Sequence, residues 1–112
     1  MSKLKRIAGV QMDVALGEKS RNLDAMRAWL EKGAREGAAI VVFPECSLTG
    51  YCFESRDEAV PHAEPIPGPA TSAISDACRD AGLHAVVGML EEDDGLIFNA
   101  AVLCGPSGLV AS

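Results

Sequence analysis

The chain has 112 residues, 48% of them hydrophobic and 23% charged, which is ordinary for a single globular domain. Its net charge is −6, its ten basic residues are scattered, and no apolar run approaches the ~20 residues of a bilayer-spanning helix, so neither a nucleic-acid nor a membrane partner is predicted. The apolar stretch 7–10 after the basic start is too short for a signal-peptide core, and we therefore expect a cytoplasmic protein.

A strand, a helix and a second strand are predicted up to Phe43. Residues 6–12, RIAGVQM, are typical of the first strand. Apolar residues spaced three or four apart indicate the helix, and they are Leu23, Met26, Leu30 and Ala34. We expect Ser20 or Asn22 to cap its start and Gly37 to end it. Residues 39–43 form the second strand, and the short connections predict a parallel βαβ unit with a right-handed crossover.

An irregular segment separates this unit from a second helix. Residues 53–69 are rich in proline and acidic residues, which predicts a loop over the sheet edge. His62 lies in this loop, and we expect its side chain to be exposed. A helix is predicted from Pro69 to Gly82, since proline suits a first helical turn and glycine a helix end. Its apolar stripe is Ile74, Ala77, Cys78 and Ala81.

The last part of the chain predicts an antiparallel hairpin. Residues 83–90 and 96–104 read as two strands joined by a loop of about five residues that ends in Asp-Gly. The sequence GPSG at 105–108 predicts a further turn. Leu109 then begins another strand.

The cysteine pattern favours packing over metal binding or cross-linking. The four cysteines are Cys46, Cys52, Cys78 and Cys104, and no two have CxxC spacing. Zinc is therefore weakly supported, and a disulfide would need an oxidising compartment. Cys78 and Cys104 lie inside apolar patterns, where cysteine acts as a small hydrophobe. No metal site is predicted.

The stretch AIVVFPECSLTGY, residues 39–51, contains the residue that points to chemistry. Ligands collect beyond the carboxyl ends of parallel strands, and Glu45 follows such an end. Pro44 lacks a backbone N–H, so the chain leaves the strand ladder there and aims the next side chain. Partial desolvation beside Phe43 would raise the pKa of this carboxyl, which suits a general base. The alternative is a solvated acid at a strand end, as most acids are.

Neither cysteine near Glu45 is a good nucleophile candidate from the sequence. Successive side chains of an extended chain point to opposite faces, so Cys46 is expected to pack behind the site. Cys52 lies in the turn after Tyr51 and is a weak second candidate. Gly-rich phosphate-binding motifs are absent from the sequence.

Three stretches, in this order, resemble the N-terminal half of the nitrilase superfamily of carbon–nitrogen hydrolases. They are RIAGVQMDVALG, NLDAMRAWLEKGAREGAAIVVFPECSLTGY and PGPATSAISDACRDAGLHAVVGMLEEDDGLIFNAAVLCGPSGLV, and together they cover most of the chain. The most specific part is the apolar strand that runs into Phe43-Pro44-Glu45 and is followed by Leu48-Thr49-Gly50-Tyr51.

This resemblance implies an α/β fold, the N-terminal portion of a four-layer αββα sandwich, in which a βαβ unit is followed by a helix and a hairpin. Family members hydrolyse amides or nitriles with a Glu-Lys-Cys triad and no cofactor, and they often form homo-oligomers. Glu45 matches the family's general base. Tyr51 and Phe53 are expected to line the substrate pocket, and Asn99 to have a structural hydrogen-bonding role.

The resemblance also implies that residues 1–112 form a partial domain. The family lysine follows the strand that begins at Leu109, and the nucleophilic cysteine lies further on, so both fall after Ser112. The chain alone is accordingly expected to be inactive. The substrate (nitrile, amide, carbamoyl or ureido compound) stays open.

Two other interpretations remain at this stage. One is a non-catalytic α/β interaction or regulatory module that keeps the scaffold without the chemistry. The other is a flavodoxin-like ligand-binding domain, which explains the βαβ start but not the hairpin at 83–104.

Overall fold

A computed structural model describes residues 4–112 of the chain. Five strands, three α-helices and one short 3-10 helix make up this part of the molecule. In chain order they are β1 (Arg6–Gly9), α1 (Lys19–Arg35), β2 (Ala38–Val42), α2 (Arg56–Ala59), the 3-10 helix Val60–His62, α3 (Pro69–Ala81), β3 (His84–Asp93), β4 (Leu96–Gly105) and β5 (Gly108–Ala111).

The strands form one mixed sheet in sequence order, β1-β2-β3-β4-β5. β1, β2 and β3 are parallel, whereas β4 and β5 are added by antiparallel pairing. The predicted βαβ unit and hairpin are therefore confirmed. The predicted five-residue loop is wrong, because Asp93 pairs with Leu96 and only Asp94 and Gly95 form the turn. Both have positive φ, 50° and 77°, as a tight type I′ turn requires.

Helices α1 and α3 cover one face of the sheet and enclose the core. The helices contribute Met26, Leu30, Ile74 and Cys78, while the strands contribute Val41, Ala85, Val87, Met89 and Val102, all nearly inaccessible to solvent. The apolar spacing read from the sequence thus identified the buried side of both helices. None of the helices within residues 4–112 combines the length and apolarity needed to cross a membrane.

The helix ends follow the predictions only in part. Gly82 follows α3 directly and Gly37 follows α1 after Glu36, with φ of 73° and 79°, so both mark the helix ends as expected. The predicted caps of α1 are wrong: the helix starts at Lys19, so Ser20 and Asn22 lie inside its first turns. Asn22 is buried, and its side chain bonds loop backbone rather than its own helix.

The segment 53–69 is more ordered than the sequence predicted, since it contains α2 and the 3-10 helix. Glu64 anchors it: the backbone of Glu64 bridges to Glu91, while the carboxylate accepts from the Ala70 amide and pairs with Lys19 at 2.7 Å. The predicted exposure of His62 is also wrong. Its ring is partly buried and stacks on Phe53 with 5.2 Å between the centroids.

The sheet face opposite the helices is largely open. Ile7 is 62% and Val42 37% exposed on this face, which we call the open face. Ile40, Val86 and Leu103 are only partly buried beside them. The strands at both edges, β1 and β5, also keep one side without a neighbouring strand in the described residues. Apolar faces and open strand edges favour association with another chain.

The open face predicts that the 112-residue chain self-associates at micromolar to millimolar concentrations. We expect Ile7→Lys to reduce the average mass in sedimentation, because a charge on the open face and edge strand opposes pairing. Leu96→Lys is the matched control, since Leu96 is 59% exposed but lies at the hairpin tip. A wild-type chain that stays monomeric over this range would contradict the prediction.

Candidate active site

The site is built where β2 ends and the chain turns across the open face. The Phe43 amide donates to the Val86 carbonyl at 2.9 Å, which is the last bond of the ladder before Pro44. A tight turn follows, closed by bonds from the Ser47 amide to the Pro44 oxygen and from the Gly50 amide to the Cys46 oxygen. Cys46 has a φ of 48°, in the left-handed region that residues other than glycine rarely adopt.

The turn rests directly on Gly88 in the middle of β3. A β-carbon at Gly88 would lie 2.7 Å from the Pro44 oxygen and 2.9 Å from the Glu45 carbonyl carbon, and closer still to the Cys46 nitrogen. The Gly88 carbonyl also accepts from the Leu48 amide at 3.1 Å. Only glycine allows this approach, so Gly88 fixes the height of Glu45 above the sheet.

The far side of the turn is tied to the start of α1. The buried Asn22 amide donates to the Leu48 carbonyl at 2.9 Å and to the Ala15 carbonyl at 2.8 Å, and its oxygen accepts from the Ala15 amide. The Gly17 amide donates to the Thr49 carbonyl at 2.8 Å. These bonds tie the turn to the loop before α1 and to α1 itself. The turn that carries Glu45 is therefore held by the sheet on one side and by this loop and helix on the other.

Glu45 lies at the mouth of an open cleft of about 250 Å³ on the open face. The lining residues are Phe43, Pro44, Glu45, Val86, Gly88, Asn99, Ala100 and Ala101. Asn99 Nδ2 donates to Glu45 Oε1 at 2.6 Å. The expected partial burial of Glu45 is wrong for this chain, because the side chain is exposed. The physical reason is its place on the open face, where Asn99 is its hydrogen-bonding partner and much of the surface faces solvent.

The cysteines divide into one exposed and three buried thiols. Cys46 is buried, as predicted, but its expected place on the face opposite Glu45 is wrong: the positive φ of Cys46 brings its Sγ to Asn99, where it donates to Oδ1 at 3.5 Å. Burial and, secondarily, the charge of Glu45 raise the pKa of Cys46. Burial and then Cys104 raise the pKa of Cys78 to about 11, while burial raises the pKa of Cys104. The exposed thiol is Cys52.

The aromatic residues expected in the pocket lie outside the cleft. Tyr51 is 63% exposed, and Phe53 stacks on His62. Neither lines the cleft beside Glu45. Their role in substrate binding therefore stays a prediction.

The site supplies one carboxylate with a hydrogen-bond donor beside it and an open cleft in front of it. Such a group can accept a proton from a reactant that enters the cleft. Within residues 4–112, no group of three His, Cys, Asp or Glu side chains is arranged to hold a metal ion. The arrangement thus describes one acid–base group on a rigid strand-end turn.

A mixed α/β sheet with a carboxylate on the turn after a parallel strand defines a class of α/β proteins with strand-end sites. The family follows from comparison with known proteins, since residues 6–112 match the family model of carbon–nitrogen hydrolases. The chain belongs to the carbon–nitrogen hydrolase family. The resemblance to the nitrilase superfamily is thereby confirmed.

Two relatives that match nearly the whole chain are much longer than it. It is 36% identical over 106 residues to a nitrilase of Pyrococcus abyssi, covering 94% of this chain and 40% of that protein. It is 36% identical over 109 residues to omega-amidase NIT2 of Danio rerio, covering 96% of this chain and 38% of that protein. The chain therefore spans about two fifths of the length of these relatives.

Solved structures support the fold. An N-terminal amidase aligns with a TM-score of 0.77 and 25% identity, covering 93% of this chain and 26% of that one. A CN-hydrolase superfamily protein of Xanthomonas campestris aligns with a TM-score of 0.77 and 24% identity, covering 92% and 37%. The described sheet and helices therefore correspond to an N-terminal portion of the nitrilase-like fold.

Two site residues were missed in the sequence, and a third was only partly understood. Gly88 interrupts the apolar strand VVGML, and a lone glycine in a strand often marks a close backbone approach. Asn22 gave no usable signal beyond a wrong cap prediction, because its partners are distant in sequence. Asn99 was expected to form a structural hydrogen bond, and its bond to Glu45 became visible only with the register of the hairpin.

We expect Gly88→Ala to lower the free energy of unfolding by about 1–3 kcal/mol, because the new methyl group overlaps the turn and forces it from the sheet. Chemical denaturation monitored by circular dichroism measures the change. Gly9→Ala is the control, since a β-carbon there meets nothing within 4 Å and Gly9 also lies in a strand. Equal stabilities of the two variants would contradict the close approach at Gly88.

Thiol chemistry tests the burial of the cysteines. In the folded chain at about pH 8, we expect a disulfide reagent to modify Cys52 rapidly and the three buried thiols only after unfolding, since buried thiols of raised pKa hold little thiolate. Absorbance of the released thiolate counts the modified groups. Cys52→Ser should remove the rapid phase. A rapid phase of more than one thiol in the folded chain would contradict the packing.

Proposed function

We propose that the chain forms the N-terminal part of a hydrolase that cleaves non-peptide carbon–nitrogen bonds of small amides or nitriles, with Glu45 as general base. The observation that carries this proposal is the position of Glu45: it follows parallel strand β2, bonds Asn99 at 2.6 Å and borders a cleft of about 250 Å³. Membership of the carbon–nitrogen hydrolase family supports the reaction class.

In the proposed mechanism, the lysine and the nucleophilic cysteine of a Glu-Lys-Cys triad come from residues after Ser112. Glu45 takes the proton of that thiol, and the thiolate forms a bond to the nitrile or amide carbon. The lysine stabilises the negative charge that develops on the substrate. With an amide, the protonated Glu45 gives its proton to the nitrogen as the C–N bond breaks, which releases ammonia or an amine and leaves a thioester. With a nitrile, addition of the thiol gives a thioimidate, and water then displaces its nitrogen as ammonia. Glu45 activates the water that hydrolyses the thioester to a carboxylic acid and frees the cysteine thiol.

The buried cysteines of this chain are poor candidates for that nucleophile. The thiolate is the reactive form, and burial raises the pKa of Cys46, Cys78 and Cys104. Cys46 is also engaged with Asn99. This supports assigning the nucleophile to the part of the enzyme that follows residue 112.

An intact enzyme of this kind is proposed to bind a small amide or nitrile and to assemble as a homo-oligomer. The open face of the sheet supports further coverage of this surface in the assembled enzyme, because Ile7 and Val42 are exposed there. The relatives are a nitrilase and omega-amidases, so both substrate classes belong in the assay.

The first test is the nucleotide sequence after codon 112. An in-frame lysine codon followed by a cysteine codon at a strand end supports the enzyme. A stop codon directly after codon 112 overturns it and favours the non-catalytic interaction or regulatory module.

The second test is kinetic. In the extended protein, we expect Glu45→Gln to lower kcat for a panel of amides and nitriles by at least ~100-fold, because the general base is lost. Glu54→Gln, an exposed acid on the same loop, is the matched control and should retain activity. The 112-residue chain alone should show no hydrolysis above background, since triad members act as a unit. Unchanged turnover in Glu45→Gln would refute the assignment.

A further inference from the structure

Glu45 is one end of a chain of three side chains. Cys46 Sγ donates to Asn99 Oδ1 at 3.5 Å, and Asn99 Nδ2 donates to Glu45 Oε1 at 2.6 Å. The left-handed conformation of Cys46, with a φ of 48°, lets two adjacent residues of the turn reach the same amide on β4. An extended backbone would send these two side chains to opposite faces.

We propose that Asn99 is a positioning residue for Glu45, and that Cys46 sets the orientation of the Asn99 amide so that Glu45 presents its second oxygen, Oε2, to the cleft. The inference rests on the proposed function of Glu45 for its catalytic meaning. The geometry itself does not depend on turnover.

Only one orientation of the Asn99 amide satisfies both partners. A carboxylate accepts and cannot donate, so it requires the NH2 group of the amide. A thiol donates weakly, so it suits the amide oxygen. Rotating the amide by half a turn would set Oδ1 against the negative carboxylate and leave the thiol facing a donor.

Cys46 is kept in the donor form. It is 2% exposed, and burial together with the charge of Glu45 raises the pKa of its thiol. A protonated thiol is what the bond to Asn99 needs. The raised pKa also makes the Cys46 thiol unreactive. Cys46 therefore orients the Asn99 amide and does not attack substrate.

Asn99 matters because Glu45 is otherwise free to move. The Glu45 side chain is exposed, and an exposed side chain samples several rotamers. The bond to Asn99 occupies Oε1 of Glu45 and favours one of these rotamers. Oε2 is then left for proton transfer at the cleft. Misplacing a reacting group by about 1 Å can cost about 100-fold in rate, so this selection is a positioning role.

The test reads the Asn99 side-chain amide by NMR in the ¹⁵N-labelled chain, with Ile7→Lys added if association broadens the signals. In the wild type we expect one Nδ2 proton to be shifted downfield and protected from exchange. Cys46→Ala and Glu45→Ala should each remove the shift and speed exchange roughly tenfold or more, as loss of a charge-assisted bond implies. Cys46→Ser keeps a donor and should rescue the signal.

Cys52→Ala is the control, because that thiol is exposed and outside the chain of bonds. Backbone amide spectra report whether each variant keeps the fold. An unshifted Asn99 amide in the folded wild type would overturn the proposal, as would a signal unchanged by Cys46→Ala. Failure here leaves the kinetic effect of Glu45→Gln untouched, and an inactive extended protein leaves this signal untouched, so the two proposals fail separately.

Discussion

The position of the candidate base depends on the contact between the backbone of Pro44–Cys46 and the bare α-carbon of Gly88. The turn after β2 could not cross the sheet at this height over any larger residue. Once it is seated there, the Gly88 carbonyl bonds Leu48, and Asn22 bonds the same residue from the helix side. Backbone packing therefore fixes where the backbone of Glu45 lies, and the bond to Asn99 orients its side chain.

The described part of the fold has two unlike faces, and the site belongs to the less covered one. Helices α1 and α3 bury one face in an apolar core, whereas the opposite face carries the exposed side chains of Ile7 and Val42 as well as the cleft. This explains why the Glu45 side chain follows the end of β2 and yet is exposed to solvent. Desolvation depends on what covers a group, while location depends on the strand that carries it.

The fold was largely predictable, because the local periodicity of apolar residues indicates its helices and strands. The stripes of α1 and α3, the glycines after both helices and the apolar strand before Pro44 are short-range signals. Three of the errors have a common cause. The ordering of 53–69 through Glu64, the role of Asn22 and the pairing of Asn99 with Glu45 all join residues far apart in sequence. A spacing pattern carries no information on such partners.

The tight turn at Asp94-Gly95 has a consequence far from the hairpin tip. It sets the pairing of Leu90 with Asn99. This pairing decides that the Asn99 side chain lies on the same face of the sheet as Glu45 and not on the face that the helices cover. A slip of one position would exchange Asn99 for Phe98 or Ala100 on that face. The hairpin turn therefore determines which side chain bonds Glu45, although the turn itself does not contact Glu45. Asn99 would stay on the face of Glu45 only if an insertion or deletion at that loop changed its length by an even number of residues.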